Sequence, residues 1–550
     1  MDKKNLIIGS LCLFAAFWLF VSQSKSIEQS AAVTTADTTK VTNSTQEIPS
    51  AAHAGPVNNC TLFSMPAHQE DSKCIVLENN ALKLCFSTLT GGIQSAELKQ
   101  FPLKQGQATP YVFNQDAPLP ALTLSFDPKG APLTTFKVTE QTAHSIQLNT
   151  TLSDGTQIVR VYRLPESDAE NPYLIQTDIM VRQPESANAS LTHNGIWVSL
   201  GRMFGSESDP QQEYLNFCAY DGSKTEFQRL AEFEASNGFL GLGKHEAHAY
   251  LEESKSFVWG ALKNQFFAAI LTPQTPASRY ISFPSKDAEQ SYLNGFLELP
   301  LTQSNHKLSA TYYVGPKQYL LLEKMGKNQD ELMQFGLFSA VSKVLLMGMH
   351  AIHHVVPNWG WVILILTVII KVLMWPITQM QLNSSKKMGS IQEPLKKIKE
   401  KYKSNPQKLQ EETMKLFKEN RINPASGCLP LLIQIPIFIG LYCVLRSASE
   451  IRFQSFLWIK DLSMPDTICR LGSFPLNIMP LIMGVTMLIQ MKMTPTPTAD
   501  GSQQKMLLLM PFIFLFFCYG FPSALVLYWT AQNVFTILQQ LLTNRNKKTA

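Results

Sequence analysis

The chain has 550 residues, 16% of them charged, and a formal net charge of +5 that by itself assigns no partner. Its mean hydropathy is near zero, but this average conceals two unlike parts, because residues 23 to about 335 are polar and mixed in sign, whereas 336–543 hold nearly all the long apolar runs. This division excludes a chain that is soluble throughout, and the length predicts one large soluble domain and one membrane domain.

The N-terminal segment 1–22 contains the first apolar run, Leu6–Val21, which we interpret as a membrane span. A cleaved signal peptide is the alternative, because the run has only about 16 residues and Ser22-Gln23-Ser24 loosely resembles a cleavage site. In either case the next segment is exported. Residues 23–59 are rich in Ser, Thr, Ala and Gln and have too few large apolar residues to bury a core, which predicts a flexible linker.

Residues 60–335 have the pattern of an all-β exported domain. Short β-prone runs are divided by Gly, Pro, Asn and Asp turns, which is typical of a β-sandwich. The runs are Ile75–Phe86, Ala121–Phe126, Ser145–Leu152, Gln157–Arg163, Tyr173–Val181 and Phe266–Leu271. The dense cluster His245-Glu246-Ala247-His248 lacks the four-residue histidine spacing of a metalloprotease helix, so we expect neither an enzyme site nor a metal site there.

Five of the nine cysteines would be exported, four of them in residues 23–335 and Cys469 in the loop 446–473. Because an oxidising compartment permits disulfides, we predict a bond between Cys60 and Cys74, which close a short loop at the edge of the domain. Buried free thiols are the alternative, and sequence alone does not fix the connectivity.

Residues 336–357 are predicted to form an amphipathic helix in the membrane interface. Apolar residues recur there every three or four positions, with Ser, Lys and His between them. They are Phe335, Phe338, Val341, Leu345, Met349, Ile352 and Val356.

Residues 358–545 hold five further candidate spans. These are Trp359–Trp375, Leu429–Leu445, Phe474–Met491, Met506–Phe521 and Ala524–Leu542. A run of about 16 residues reaches roughly 24 Å against a hydrocarbon core of roughly 30 Å, which predicts local thinning of the bilayer. Between the last two runs, Gly520-Phe521-Pro522-Ser523 breaks the helix, since proline removes a backbone donor.

Lys371 lies inside the first of these five runs. A cation in the hydrocarbon region costs roughly 3 kcal/mol on insertion scales, so it rarely faces lipid and usually lines a polar cavity or pathway. The alternative is that Lys371 extends to the lipid headgroups, because Trp375 and Pro376 lie only about 6 Å further along the helix.

The pattern of residues 378–422 predicts a lysine-rich helical hairpin. The apolar seam of its first helix consists of Met388, Ile391, Leu395, Ile398 and Tyr402. This 3-4-3-4 spacing is typical of a short coiled coil, and Asn405-Pro406 then turns the chain. Such a hairpin could bind ribosomal RNA, acidic headgroups or an acidic partner, or it could be a solvated face that only sets topology.

The placement of basic residues predicts the orientation. The loop from Ile377 to Gly427 carries eleven basic residues against five acidic ones, and short basic flanks occur near both termini, the second reaching into the tail 546–550. With six spans all three fall on one side, which the positive-inside rule identifies as the cytoplasm. Residues of about 23–335 and the loop 446–473 are then outside.

A series of motifs follows in order from residue 358 onward. They are Asn358-Trp359-Gly360, Lys371-Val372-Leu373-Met374-Trp375-Pro376, Asn423-Pro424, Gly427-Cys428-Leu429-Pro430, Gln434-Ile435-Pro436-Ile437-Phe438, Met483-Gly484-Val485-Thr486-Met487 and Phe521-Pro522-Ser523-Ala524-Leu525-Val526-Leu527-Tyr528-Trp529. Together they resemble the bacterial YidC branch of the YidC/Oxa/Alb membrane-protein insertases. Upstream, Thr90-Gly91-Gly92-Ile93, the segment 259–267 and Tyr313-Val314-Gly315-Pro316-Lys317 resemble the exported domain of Gram-negative members.

The resemblance implies a multi-pass α-helical membrane protein, with five core helices around a hydrophilic groove, an N-terminal span and an exported β-sandwich. Such a protein inserts integral membrane proteins into the bacterial inner membrane and helps them fold, with or without the Sec translocon, and uses no cofactor and no enzymatic reaction. The implied partners are nascent membrane proteins, the Sec translocon, the lipid bilayer and, at the hairpin, the ribosome and the signal recognition pathway. The exported domain would be largely dispensable for insertion.

The family's groove cation, usually arginine, maps onto Lys371, where lysine keeps the charge but lacks the planar fork for bidentate contact with carboxylates. In the family, positions matching Thr367 and Trp529 contact substrate. Further polar candidates on the spans are Gln434, Thr486, Gln490, Tyr528, Gln532 and Asn533. Hydrogen bonding between helices is the alternative role, above all for Gln434 and Gln490.

Two other classes of function remain open from the sequence, a polar-solute transporter and a membrane-tethered, sugar-active enzyme. A transporter is disfavoured because the sequence shows no internal repeat of broken helices. An enzyme is disfavoured because no acid/base constellation is visible.

Overall fold

The computed structural model describes residues 73–115, 117–166, 169–182, 194–235, 245–287, 290–301, 307–420, 429–472, 474–493 and 501–545. The predicted N-terminal span 1–22, the linker 23–59 and the tail 546–550 lie outside these residues, as do Cys60 and the motif Asn423-Pro424.

The described residues between 74 and 316 form three antiparallel sheets, which we call the β-domain. Its strands are β1 (Cys74–Glu78), β2 (Leu82–Ser87), β3 (Ile93–Pro102), β4 (Pro110–Phe113), β5 (Leu124–Ser125), β6 (Lys137–Gln141), β7 (Ser145–Thr151), β8 (Gln157–Arg163), β9 (Leu174–Arg182), β10 (Gly195–Phe204), β11 (Asn216–Tyr220), β12 (Thr225–Arg229), β13 (Leu251–Phe257), β14 (Trp259–Lys263), β15 (Phe267–Pro273), β16 (Ala277–Asp287), β17 (Gln290–Pro300) and β18 (Lys307–Pro316).

Two of the sheets pack on each other. The larger has nine strands in the order β12-β11-β14-β15-β18-β9-β8-β7-β6, and the smaller has five in the order β13-β16-β17-β10-β5. Strands β10 and β17 contact β11, β14 and β15 across the interface. β14 and β15 are buried along their full length, the pattern of strands covered on both faces. The prediction of an all-β domain is confirmed.

The predicted run Ile75–Phe86 is two strands rather than one. The side chain of Asn79 accepts hydrogen bonds from the backbone N–H groups of Ala81 and Leu82 at 2.9 and 2.8 Å. This turn folds β2 back onto β1 in a four-stranded sheet with the order β1-β2-β3-β4. The predicted run Ala121–Phe126 is also longer than the strand found there, which is the two-residue β5, with an isolated bridge between Ala121 and Ile93.

The β1–β2 hairpin places Cys74 beside Cys85, with Cα atoms 5.4 Å apart, and these two residues form a disulfide. The predicted bond between Cys60 and Cys74 is therefore wrong. On one continuous strand Cys74 and Cys85 would lie roughly 36 Å apart, so the pairing could not be seen until the turn was known.

The C-terminal half is mainly helical. Its elements are α1 (Tyr319–Met325), α2 (Ser339–Val355), α3 (Trp359–Ser390), α4 (Gln392–Lys401), α5 (Pro406–Glu419), α6 (Leu429–Ser447), the hairpin strands β19 (Thr467–Leu471) and β20 (Phe474–Asn477), α7 (Ile478–Met493), α8 (Gly501–Cys518) and α9 (Ser523–Arg545). We call α2, α3 and α6 to α9 the helical core.

Several helix boundaries differ from the ends of the predicted spans, whereas the predicted break before α9 agrees. Helix α3 continues through Pro376 to Ser390. The predicted span Phe474–Met491 begins with strand β20, so its helix starts only at Ile478. The break at Pro522 is confirmed, because α8 ends at Cys518 and α9 starts at Ser523.

Two helical stretches of the described residues, Gly336–Val355 and Trp359–Ser384, are long and apolar enough to cross a bilayer. The shorter apolar helices are Ile433–Ser447, Ile478–Met493 and Leu509–Cys518. Since the first long stretch coincides with the predicted interfacial helix, length and composition do not separate lying in the membrane from crossing it. The five-span core therefore stays a prediction.

The β-domain contacts residues 448–477, which join α6 to α7 and which we call the α6–α7 connection. Arg452 donates hydrogen bonds to the carbonyl oxygens of Pro102 and Leu103, both at 2.8 Å. Next to this connection, Gln265 Nε2 donates to the carbonyl oxygen of Arg446 at the end of α6, also at 2.8 Å. Buried apolar residues of the β-domain and the helical core belong to one continuous cluster.

Candidate functional site

Helix α9 is central to the candidate site, because it packs against α3, α6 and α7. Polar side chains lie along α9 and meet polar groups of these three neighbours. A polar group in an apolar helix must find a partner or lose its hydration without compensation. The positions of these contacts therefore show where the helical core holds its polarity.

Lys371 on α3 donates a hydrogen bond from Nζ to Thr536 Oγ1 on α9 at 2.7 Å. The Thr536 hydroxyl in turn donates to the carbonyl oxygen of Gln532 at 2.7 Å. Among the described residues Lys371 has no ion pair with a carboxylate, and its side chain is half-buried. The structure thus shows a cation held by a neutral hydroxyl group and still partly accessible.

Tyr528 connects α9 to α6. Its hydroxyl accepts a hydrogen bond from Gln434 Nε2 at 2.7 Å and another from Gln532 Nε2 at 3.2 Å. Because the backbone carbonyl oxygen of Gln532 also accepts from Thr536, these residues form one chain of contacts that ends at Lys371. The structure brings together four of the residues predicted from the sequence: Lys371, Gln434, Tyr528 and Gln532.

Asn533 faces a different neighbour, α7. Its Nδ2 donates to Thr486 Oγ1 at 3.2 Å, and the Thr486 hydroxyl donates to the carbonyl oxygen of Met483 within α7. Gln490 lies one turn further along α7 and is half-buried. Asn533 and Thr486 therefore meet at the α7–α9 contact, apart from the cluster around Lys371.

The two positions expected to contact substrate have different surroundings. Trp529 is half-buried and packs edge-on against Phe438 of α6 and Phe514 of α8, with ring centres 4.6 and 5.0 Å away. Thr367 is fully buried, and its hydroxyl donates to the carbonyl oxygen of Ile363 in its own helix. In this structure Thr367 is enclosed, whereas part of Trp529 is accessible.

Sequence reasoning missed the polar residues that continue the α3–α9 contact toward the hairpin. Thr378 and Gln539 exchange hydrogen bonds at 3.1 and 3.2 Å, and Thr543 donates to Gln379 Oε1 at 3.2 Å. A signal was present in the spacing, because the polar residues of this face of α9 recur at intervals of four, three and four. They are Gln532, Thr536, Gln539 and Thr543.

Across the described residues, no group of three or more His, Cys, Asp and Glu side chains is arranged to hold a metal ion. From Tyr528 to Thr543 the polar side chains of α9 are neutral, and Lys371 of α3 faces them, so the site offers hydrogen bonds and one positive charge. It can attract an acidic or polar segment, and it shows no nucleophile paired with a base.

Two family models match the chain. Residues 74–347 match the model described as the YidC periplasmic domain, and residues 351–550 match the model described as 60Kd inner membrane protein. The matches define the class: an inner-membrane protein with a periplasmic, β-rich domain.

Related proteins agree over nearly the whole length. The membrane protein insertase YidC of Francisella tularensis subsp. novicida (strain U112) is 30% identical over 472 residues, covering 84% of this chain and 82% of the relative. The protein of the same name from Endomicrobium trichonymphae is 28% identical over 556 residues, covering 98% and 97%. This chain belongs to the YidC family of membrane protein insertases.

A solved structure described as an active YidC insertase crystal structure, with the first transmembrane domain resolved, is 20% identical in sequence. It covers 85% of this chain and 92% of that chain, with a TM-score of 0.36.

Proposed function

We propose that this protein inserts newly made membrane proteins into the inner membrane and helps them fold. Helices α3, α6, α7, α8 and α9 span the bilayer, and the polar side chains along α9 line a groove reached from the cytoplasm and from lipid. A substrate's polar flank enters this groove while its apolar part moves into lipid, which lowers the desolvation cost of crossing.

The observation that carries the proposal is the environment of Lys371. A hydrogen bond to the neutral Thr536 hydroxyl at 2.7 Å compensates only part of the cost of placing a charge in an apolar region. The uncompensated positive charge attracts a carboxylate. We infer that Lys371 draws acidic flanks of substrates into the groove.

The hairpin supports a cytoplasmic docking role. Ile391 is buried against Leu416 and Phe417, which holds α4 and α5 together. Exposed lysines remain around this contact: Lys396, Lys397, Lys401, Lys403 and Lys408. These cations suit ribosomal RNA or an acidic partner, which favours the ribosome and the signal recognition pathway as partners there. Cooperation with the Sec translocon is part of the same proposal.

The test is insertion of one short single-span substrate into proteoliposomes, with and without acidic residues in its exported tail. We expect Lys371→Arg to retain insertion, Lys371→Ala to slow insertion of the acidic version, and Lys371→Glu to slow it further. Loss of an interaction of ~1 kcal/mol corresponds to a rate change of about fivefold.

The matched control is Lys492→Ala, which removes an exposed lysine near the end of α7. It should leave insertion of both substrates unchanged. If Lys371→Ala and Lys371→Glu insert both versions as well as the parent at equal protein levels, the proposed role of Lys371 is wrong and the side chain only extends to the headgroups.

A further inference from the structure

The α6–α7 connection exposes large apolar side chains at two tips. One tip is the turn closed by the pairing of Phe456 with Ile459, where Leu457 is 71% exposed and Trp458 is also exposed. The other is the β19–β20 hairpin, where Leu471 and Phe474 form the last pair before the turn, with exposures of 66% and 55%. Water around four such side chains is unfavourable.

Leu457 also has an unfavourable backbone conformation, with φ at +53°. This left-handed region suits glycine or asparagine, because a Cβ crowds the following carbonyl group. In water, an exposed leucine in this conformation is no more stable than an asparagine would be. The apolar side chain at the tip therefore indicates an apolar environment.

Both tips lie at the ends of core helices. The Phe474 ring stacks on Tyr519, just beyond the end of α8, with centres 5.3 Å apart. Asn477 Nδ2 donates to the carbonyl oxygen of Tyr519 at 2.7 Å. On the other side, Trp361 in the first turn of α3 contacts the Phe456 ring edge-on at 5.5 Å. The tips are thus fixed at one level, where α3 begins and α8 ends.

The exposed apolar surface continues from the β19–β20 hairpin onto α8. Phe516 is 79% exposed and precedes Tyr519 by three residues, so the two lie on neighbouring positions of one face. The exposed Trp361 likewise begins the apolar outer face of α3. The tips therefore extend the surface that faces lipid in the proposed topology.

The charge of the β19–β20 hairpin fits phospholipid headgroups. Residues 467–477 contain one charged side chain, Arg470, which is exposed on β19 beside Leu471, and no acidic residue. A guanidinium group binds phosphate well, and Trp and Tyr rings are enriched at the membrane interface. Apolar tips, aromatic rings and one arginine are the combination expected of an interfacial anchor.

We propose that the two tips of the α6–α7 connection insert into the outer leaflet and that Arg470 binds phospholipid phosphates. The inference rests on the bilayer placement of the core in the proposed function. Because Arg452 of the same connection holds the β-domain, the anchor also fixes that domain at the membrane surface.

The test uses the full chain in vesicles of phosphatidylethanolamine and phosphatidylglycerol, in a Cys469→Ser background. An environment-sensitive fluorophore is placed at Leu471→Cys or Phe474→Cys. We expect loss of fluorescence with a lipid that carries a quencher near its headgroup, and little loss with iodide present on both sides. The signal of the background protein, labelled without an added cysteine, is subtracted.

Two controls make the result decisive. Ser223→Cys lies at the tip of the β11–β12 hairpin of the β-domain and should respond to iodide only, whereas Phe516→Cys on α8 should respond to the lipid quencher. If Leu471→Cys and Phe474→Cys respond like Ser223→Cys, or escape both quenchers because protein covers them, the anchor is overturned. Failure of Phe516→Cys to respond to lipid would overturn the bilayer placement itself.

Discussion

Gly360 lies where the first turn of α3 meets the α6–α7 connection. A Cβ added there would overlap Cγ and Cδ2 of Phe456 and lie 2.5 Å from its Cβ. Phe456 is buried, and its backbone N–H donates to the carbonyl oxygen of Ile459 at 2.9 Å. The ring therefore has little freedom to move, and the glycine permits close approach of the two segments.

We expect Gly360→Ala to lower the free energy of unfolding by ~1–3 kcal/mol, because the overlap outweighs the helix-propensity gain of ~1 kcal/mol. The matched control is Gly348→Ala on α2, where the nearest atom to the new Cβ is Leu366 Cδ1 at 3.7 Å. That variant should be neutral or stabilising. Thermal unfolding in detergent measures both, and equal midpoints would contradict the assigned role of Gly360.

Single residues in the candidate site were predictable to different degrees. Lys371 was identified because a charge in an apolar run is unusual. Thr536, which holds it, was missed because threonine in a span commonly bonds its own helix, as Thr367 does. Tyr528 was identified, but its link to Gln434 depends on how α6 and α9 cross, which sequence spacing does not give.

At the scale of elements, polar contacts join α3 to α9. They begin at the Lys371–Thr536 hydrogen bond and continue through Thr378 and Gln539. Interhelical hydrogen bonds in membranes are modest, averaging ~0.6 kcal/mol with a maximum of ~1.7 kcal/mol. Several in register nevertheless fix the rotation of the two helices, and so the direction in which Lys371 points.

A double-mutant cycle of Thr378→Val and Gln539→Leu should show a coupling free energy of ~0.6–1.7 kcal/mol. Unfolding by a denaturing detergent measures it. The control cycle pairs Gln539→Leu with Thr530→Val, since the Thr530 hydroxyl donates within α9 to the carbonyl oxygen of Val526. Coupling no larger than in the control would mean that the Thr378–Gln539 contact is not maintained.

The boundaries of helices and strands are predictable from the sequence where a residue at the boundary itself determines them. Pro522 ends α8 as expected. Pro376 does not end α3, because a proline removes only one backbone donor from a helix of 32 residues, and the remaining hydrogen bonds hold the two sides together. The residues Phe474–Asn477 form a strand because they pair with β19, a tertiary contact that their apolar composition does not reveal.

At the scale of the molecule, the β-domain and the helical core are fastened by contacts distant in sequence. Arg452 and Pro102 are 350 positions apart, so no local pattern predicts their pairing. The guanidinium also lies over the Phe267 ring, 5.3 Å from its centre. The sequence assigns no role to two segments that resemble the family, 259–267 and Tyr313–Lys317. In the structure, Gln265 of the first segment contacts the end of α6, and Lys317 of the second contacts the turn that follows α6.

The family resemblance implies that the exported domain is largely dispensable, whereas the structure shows it docked. The exported domain can be both docked and dispensable if docking only positions it and does not contribute to insertion. Arg452→Ala should then destabilise the interface by roughly 3 kcal/mol, because two charge-assisted hydrogen bonds are lost, and insertion in proteoliposomes should persist.

Spin labels at Ser223 and Leu457 should show a broader distance distribution in Arg452→Ala than in the parent. Arg279→Ala, which breaks an ion pair to Glu298 inside the β-domain, should leave that distribution narrow. A narrow distribution in Arg452→Ala would show that the continuous apolar cluster alone holds the two parts together, and lost insertion would show that the docked position matters for function.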